Sequence, residues 1–237
     1  ENGINNFATA RPYRDGESEI LSGKAHNKYP RESLWLADKM PMSKIEKKEE
    51  VQEIFEKQLE KCQVEYFDNY LCHALNKDNW QKVLNFGVLD YLKEQKKLGK
   101  IKHLGFSFHD SRDVLKTILD REDWDFVQLQ LNYYDVANGD AQQLIDLAAE
   151  HNVPIFVMEP IRGGFLARCV PDAITEIENA YGKNSAPALR LCYAFNIKGV
   201  KVVLSGMSTM AQVLESVPTP NNPSPMHEEA ENVKKGV

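Results

Sequence analysis

Seven short apolar runs, "INNFATA", "SLWLADK", "FDNYLCH", "IKHLGFS", "FVQLQLN", "VPIFVME" and "VKVVLSG", recur along the chain with polar, helix-forming stretches between them. Runs of this length read as buried strands. Between them, "EVQEIFEKQLEKC", "VLDYLKEQKKLG" and "DAQQLIDLAAEHN" return apolar residues every three or four positions, as amphipathic helices do. Regular alternation of strand and helix predicts parallel β-α units, hence an α/β fold. A parallel (β/α)8 TIM barrel is preferred over an open doubly wound sheet. A closed barrel of this kind has eight strands, because an absent strand exposes two edges of unpaired backbone groups. The expectation is that a first strand and helix are missing from this sequence.

Local signals place several boundaries. Gly99 follows the Lys-rich end of one helix and suits a C-cap, and Asp110 and Ser111 precede "RDVLKTIL" as N-cap candidates. The last stretch opens as a proline-rich linker and closes as a weak helix. Residues 1–217 are therefore expected to form the β/α barrel and 218–237 a surface tail.

With 237 residues, 42% hydrophobic and 27% charged, the chain can bury a substantial core. A net charge of −6 argues against a nucleic-acid or membrane-surface binder, and the basic cluster "KEQKKLGKIK" reads as a solvated face. Cys62, Cys72, Cys169 and Cys192 are scattered without a C-x-x-C pair, so neither a metal site nor a disulfide framework is expected. A reducing cytoplasm fits that usage. No apolar run approaches the roughly 18 residues that a membrane span needs.

The strand candidates finish in Lys39, His73, Ser107, Asn132, Glu159 and Ser205, each at the C-terminal end of an apolar run. In a β/α barrel that end is the active-site face. Singly, each has a bland reading as a helix cap or a satisfied core group. Their repetition at the same end of successive strands points to a site.

At these residues the chain resembles the aldo-keto reductase family. The resemblance runs in the family's order through "GINNFATARPYRDGESE", "LADK", "YFDNYLCH", "IKHLGFSFHDS", "FVQLQLNYY", "VMEPIRGGFLA" and "VVLSGMSTMAQVLES". It implies a barrel that binds a nicotinamide cofactor, NADP with NAD as the alternative, and passes hydride to a small-molecule aldehyde or ketone. It makes Tyr13 the proton donor, Lys39 its activating neighbour and His73 the group that orients the carbonyl. The chemistry agrees: a carbonyl accepting hydride becomes an alkoxide and needs a positioned acid, and a nearby ammonium favours a tyrosine's ionised form.

The resemblance also implies cofactor contacts at Ser107, Gln128, Arg162, Gly163, Ser205, Gly206, Ser208, Gln212 and Glu215. Phe108 stands where the family usually has Asn. Gly163 and Gly164 read equally as a close approach to phosphate or as a tight turn, and Ser208 as the N-cap of the last helix. The family's aspartate five residues before the tyrosine is Ala8 here. Asp38 should face away from Lys39 by strand alternation, which leaves Glu159 as the candidate replacement. The implied function is NAD(P)H-dependent carbonyl reduction with impaired or rearranged catalysis. A nicotinamide-binding regulatory relative without turnover is the alternative, and a barrel lyase a third reading.

Overall fold

The computed structural model describes residues 4–167 and 185–216, with the backbone alone at 15, 185–189 and 215. The chain divides into two compact units, Asn5–Gln128 and a second made of the residues from Leu129 onward together with those up to Ile4. The expected tail, 218–237, lies outside the described residues, as does Cys169.

The first unit carries strands β1 (Asn6–Ala8), β2 (Trp35–Met40), β3 (Phe67–Leu75), β4 (Ile101–Phe108) and most of β5 (Phe126–Gln130). Each pairs with the next in parallel. The connecting helices are α1 (Glu17–His26), α2 (Glu49–Cys62), α3 (Lys77–Asn85), α4 (Val88–Lys97) and α5 (Arg112–Leu119). The second unit holds α6 (Tyr133–Asn138), α7 (Ala141–Glu150), β6 (Ile155–Met158), α8 (Ser185–Asn196), β7 (Val200–Val203) and α9 (Met210–Ser216), with β6 and β7 again parallel. All seven strands among the described residues lie within the seven apolar runs or extend them by one or two residues.

Register decides which side chains share a face. Ala8 pairs with Ala37, Lys39 with Leu71, Leu71 with Gly105, Gly105 with Phe126, and Ser107 with Gln128. With a side-chain period of two, Ala8, Ala37, Lys39, Leu71, Ser107 and Gln128 lie on one face of the first unit's sheet. Leu36, Asp38, Tyr70, Cys72 and Phe106 lie on the other, under the helices. There Phe55 of α2 packs edge-on to Tyr70 and Phe67, with ring centroids 5.0 and 6.1 Å away.

Two glycines set close approaches. A Cβ at Gly105 would meet the Phe126 carbonyl at 2.5 Å, and one at Gly23 would meet the carbonyls of Lys61 and Cys62 at 2.7 Å. Gly23 therefore lets α1 seat directly on the end of α2. Gly99 has φ 78° just past α4. Its amide donates to the Lys96 carbonyl at 3.0 Å, which confirms the expected C-cap.

Candidate active site

Tyr13 opens a short 3-10 turn, Tyr13–Gly16, just beyond β1. Its amide donates to the Ala10 carbonyl at 2.9 Å, and Thr9 Oγ1 and Ser18 Oγ share a hydrogen bond of 2.8 Å that ties this corner to α1. Tyr13 is 42% exposed, so it can meet a substrate.

Lys39, near the end of β2, is buried, and its ammonium stands 4.7 Å from the centroid of the Tyr13 ring. Nζ donates to the backbone carbonyl of Thr9 at 2.7 Å. A carbonyl dipole, rather than a carboxylate, thus receives the ammonium beside Ala8. Burial pulls the Lys39 pKa down to about 8, and the charge of Asp38 opposes that fall.

Asp38 faces away from Lys39, as alternation requires. Its Oδ1 accepts from the Lys39 backbone amide at 2.8 Å, and its Oδ2 receives the Cys62 thiol at 3.7 Å. Burial, followed by repulsion from Glu19, raises the Asp38 carboxyl well above its ordinary range. Around it runs a buried polar network not expected from the sequence. Gln58 Nε2 donates to Glu19 Oε1 at 3.0 Å and to the Lys39 carbonyl at 2.9 Å, Tyr70 donates its hydroxyl to Gln58 Oε1, and Lys61 pairs with Glu19 at 2.7 Å. Glu19 and Gln58 sit among charged helix residues, so only the three-dimensional placement distinguishes them from surface groups.

His73, near the end of β3, lies edge-on to Tyr13 with ring centroids 6.2 Å apart. Its pKa falls to about 4, first through burial and then through the charges of Lys39 and His109. The imidazole is therefore neutral near pH 7 and can donate one N–H to a carbonyl oxygen.

Ser107 is fully buried and accepts the Ala74 amide on Oγ at 2.7 Å. Gln128 is its partner in register on β5 and is also buried. Phe108 is buried against Phe106. Trp80 belongs to the core, at 4% exposure.

The remaining candidates lie in the second unit. Glu159 takes φ 55°, and its carbonyl accepts from Asn132 Nδ2 at 3.2 Å. Arg162 approaches Asp135 at 3.6 Å and lies over the Tyr134 ring at 5.2 Å. Gly163 and Gly164 have φ 61° and 89°, and a Cβ at Gly164 would meet nothing within 4 Å. Their backbone conformation, not space, calls for glycine here. Ser205 is half-buried and Gly206 exposed beyond β7.

The expected N-cap of α9 is displaced by one residue. Thr209 Oγ1 accepts the Gln212 amide at 3.3 Å, while Gln212 Oε1 accepts the amides of Thr209 at 3.1 Å and Ser208 at 2.7 Å. This is a capping box, and "TMAQ" carried its signature in the sequence. Of Glu215 only the backbone is described.

Known proteins share this fold. A solved aldo-keto reductase from Bacillus halodurans, in its holo form, superimposes with a TM-score of 0.80 at 24% identity, covering 99% of this chain and 83% of that one. An aldo-keto reductase from Klebsiella pneumoniae in complex with NADPH gives 0.79 at 20% identity, over 97% of this chain and 79% of that one. These likenesses show the fold, a parallel β/α barrel. Among curated proteins, the NADH-specific methylglyoxal reductase of Escherichia coli (strain K12) is 27% identical over 186 residues, 69% of this chain and 54% of its own length. The L-galactose dehydrogenase of Arabidopsis thaliana is 26% identical over 236 residues, 91% of this chain and 73% of its own length. The chain thus spans about half the length of the first of these relatives and nearly three quarters of the second. The aldo/keto reductase family model matches residues 1–223, and the chain belongs to that family.

Proposed function

We propose that this chain carries the catalytic site of a nicotinamide-dependent oxidoreductase that reduces an aldehyde or ketone to an alcohol. The observation that carries the reading is the contact of one exposed phenol, Tyr13, with a buried ammonium, Lys39, and a neutral imidazole, His73. The relatives' activities support it, since one is a methylglyoxal reductase and another a sugar dehydrogenase.

The reduced nicotinamide, NADPH or NADH, supplies the hydride when bound. Ser107 and Gln128 fit a carboxamide: a hydroxyl and a primary amide stand side by side in register, and together they offer both donors and acceptors. His73 gives an N–H to the substrate carbonyl and fixes its direction. Tyr13 donates its phenolic proton as the alkoxide forms, and the nearby Lys39 charge stabilises the negative charge left on the ring oxygen. Thr9 holds that ammonium in place through its carbonyl.

Titration calorimetry of the full-length protein with NADPH and with NADH, followed by turnover assays against a panel of aldehydes and ketones, tests the proposal. Binding of a reduced cofactor together with carbonyl-dependent oxidation is the expected result. Binding without turnover by any carbonyl would favour a regulatory nicotinamide-binding role, and absence of binding would remove both.

A further inference from the structure

Ala74, the residue after His73, has φ 54°. That left-handed conformation is one in which a Cβ crowds the backbone, and an alanine seldom adopts it without support. The register of β3 against β4 shifts between Cys72 and Leu75, so His73 and Ala74 are the residues inside the irregularity. Such bulges re-aim side chains beside active sites.

Both polar groups of the Ala74 backbone are held by side chains from other elements. Its N–H donates to Ser107 Oγ on β4 at 2.7 Å, and its carbonyl accepts from Asn79 Nδ2 on α3 at 2.8 Å. Asn79 is fixed in turn. Its backbone N–H donates to the Asn76 side chain at 2.8 Å, the N-cap bond of α3, and the backbone N–H of Lys77, the first residue of that helix, donates to Asp110 at 2.8 Å. The carboxamide of Asn79 is thus delivered by a capped helix start rather than by a free loop.

We propose that Asn79 is a positioning residue for His73: its amide and the Ser107 hydroxyl clamp the two sides of Ala74 and hold the left-handed bulge that turns the imidazole toward Tyr13. The consequence for turnover rests on the carbonyl-reductase reading, whereas the clamp is read from the backbone and stands apart from it. In the clamped position His73 faces Lys39 from β2, His109 from the segment after β4 and Tyr13 from the turn after β1.

The test is an NMR titration of the His73 ring in full-length protein labelled at histidine nitrogen. In the unaltered protein His73 should titrate near 4. Asn79→Ala should release the bulge and move the value toward the ordinary 6.5. Ala74→Gly added to Asn79→Ala should bring it back, because glycine adopts the left-handed conformation unaided. A value unchanged in folded Asn79→Ala, or a double variant that is not restored, would overturn the proposal. If Asn79→Ala does not fold, Ser107→Ala removes the other half of the clamp and is titrated in the same way. Where turnover is measurable, kcat should fall about tenfold or more in Asn79→Ala and recover in the double variant. A protein that reduces no carbonyl would sink the reductase reading and leave the titration to decide the clamp.

Discussion

Lys39 Nζ donates to the carbonyl of Thr9 at 2.7 Å, one residue beyond Ala8, the position at which a carboxylate would be expected. The ammonium is held in place by a neutral dipole, so it keeps its position while losing part of the stabilisation that a counter-charge would give. Asp38 offsets some of this from the opposite face of the strand. The missing carboxylate is therefore replaced in geometry more fully than in charge.

Ala8→Asp should change kcat little near pH 7, where Lys39 is already mostly charged, and raise it by up to about tenfold above pH 8, where a carboxylate partner would keep the ammonium that the unaltered protein loses. Ala8 is exposed and shares a strand face with Lys39, so a carboxylate there would keep its hydration while reaching the ammonium. The alkaline limb of kcat should move upward from near pH 8. Steady-state pH profiles of Ala8→Asp and Ala8→Asn separate charge from shape, since only the first should gain.

Lys39→Met should lower kcat by about 10²-fold or more while changing stability by only about 1 kcal/mol. A buried ammonium whose pKa is depressed by desolvation adds little to folding, and an apolar side chain of similar length fills its place. Turnover assays and urea unfolding on the same preparation check both halves.

His73 should stay neutral down to about pH 4. Because its folded pKa lies below the ordinary 6.5, the unfolded chain binds the extra proton first as pH falls. The His73 contribution to stability is thus complete above pH 6.5 and is lost progressively as pH drops toward 4. Urea midpoints across that window should fall more steeply in the unaltered protein than in His73→Gln.

Gln58→Leu should destabilise the fold by about 2 to 4 kcal/mol. The substitution strands the Tyr70 hydroxyl and removes a donor from both Glu19 and the Lys39 carbonyl, all on buried residues. Chemical denaturation of Gln58→Leu beside Gln58→Glu would show whether the amide donor or the side-chain volume matters.

Much of this was legible in the sequence because apolar runs and helical periodicity report burial directly. The seven strands of the described residues, α2, α4, α5 and α7 were placed from pattern, and strand ends marked Lys39 and His73, whereas Tyr13 joined them only through the resemblance to the aldo-keto reductase family. Helix α1 was missed because its buried face is Glu19, Gly23 and His26, which offers no apolar stripe. The Glu19–Gln58–Asp38 network was hidden for the same reason. The clamp on Ala74 needed coordinates, since neither a left-handed alanine nor a bulge has a signature in "CHALN". The displaced cap of α9 is the opposite case, where "TMAQ" was readable as a capping box.

The most direct test of Tyr13 as proton donor is a single-turnover reaction, in which the oxidation of protein-bound NADPH by an aldehyde is followed through the loss of reduced-nicotinamide absorbance in the unaltered protein and in Tyr13→Phe. Tyr13 is 42% exposed, so its hydroxyl can be removed with little effect on folding. The expected result is rapid oxidation in the unaltered protein and a rate about 10²-fold lower or less in Tyr13→Phe, with NADPH affinity preserved. Equal rates in the two proteins would contradict the assignment and place the acid elsewhere.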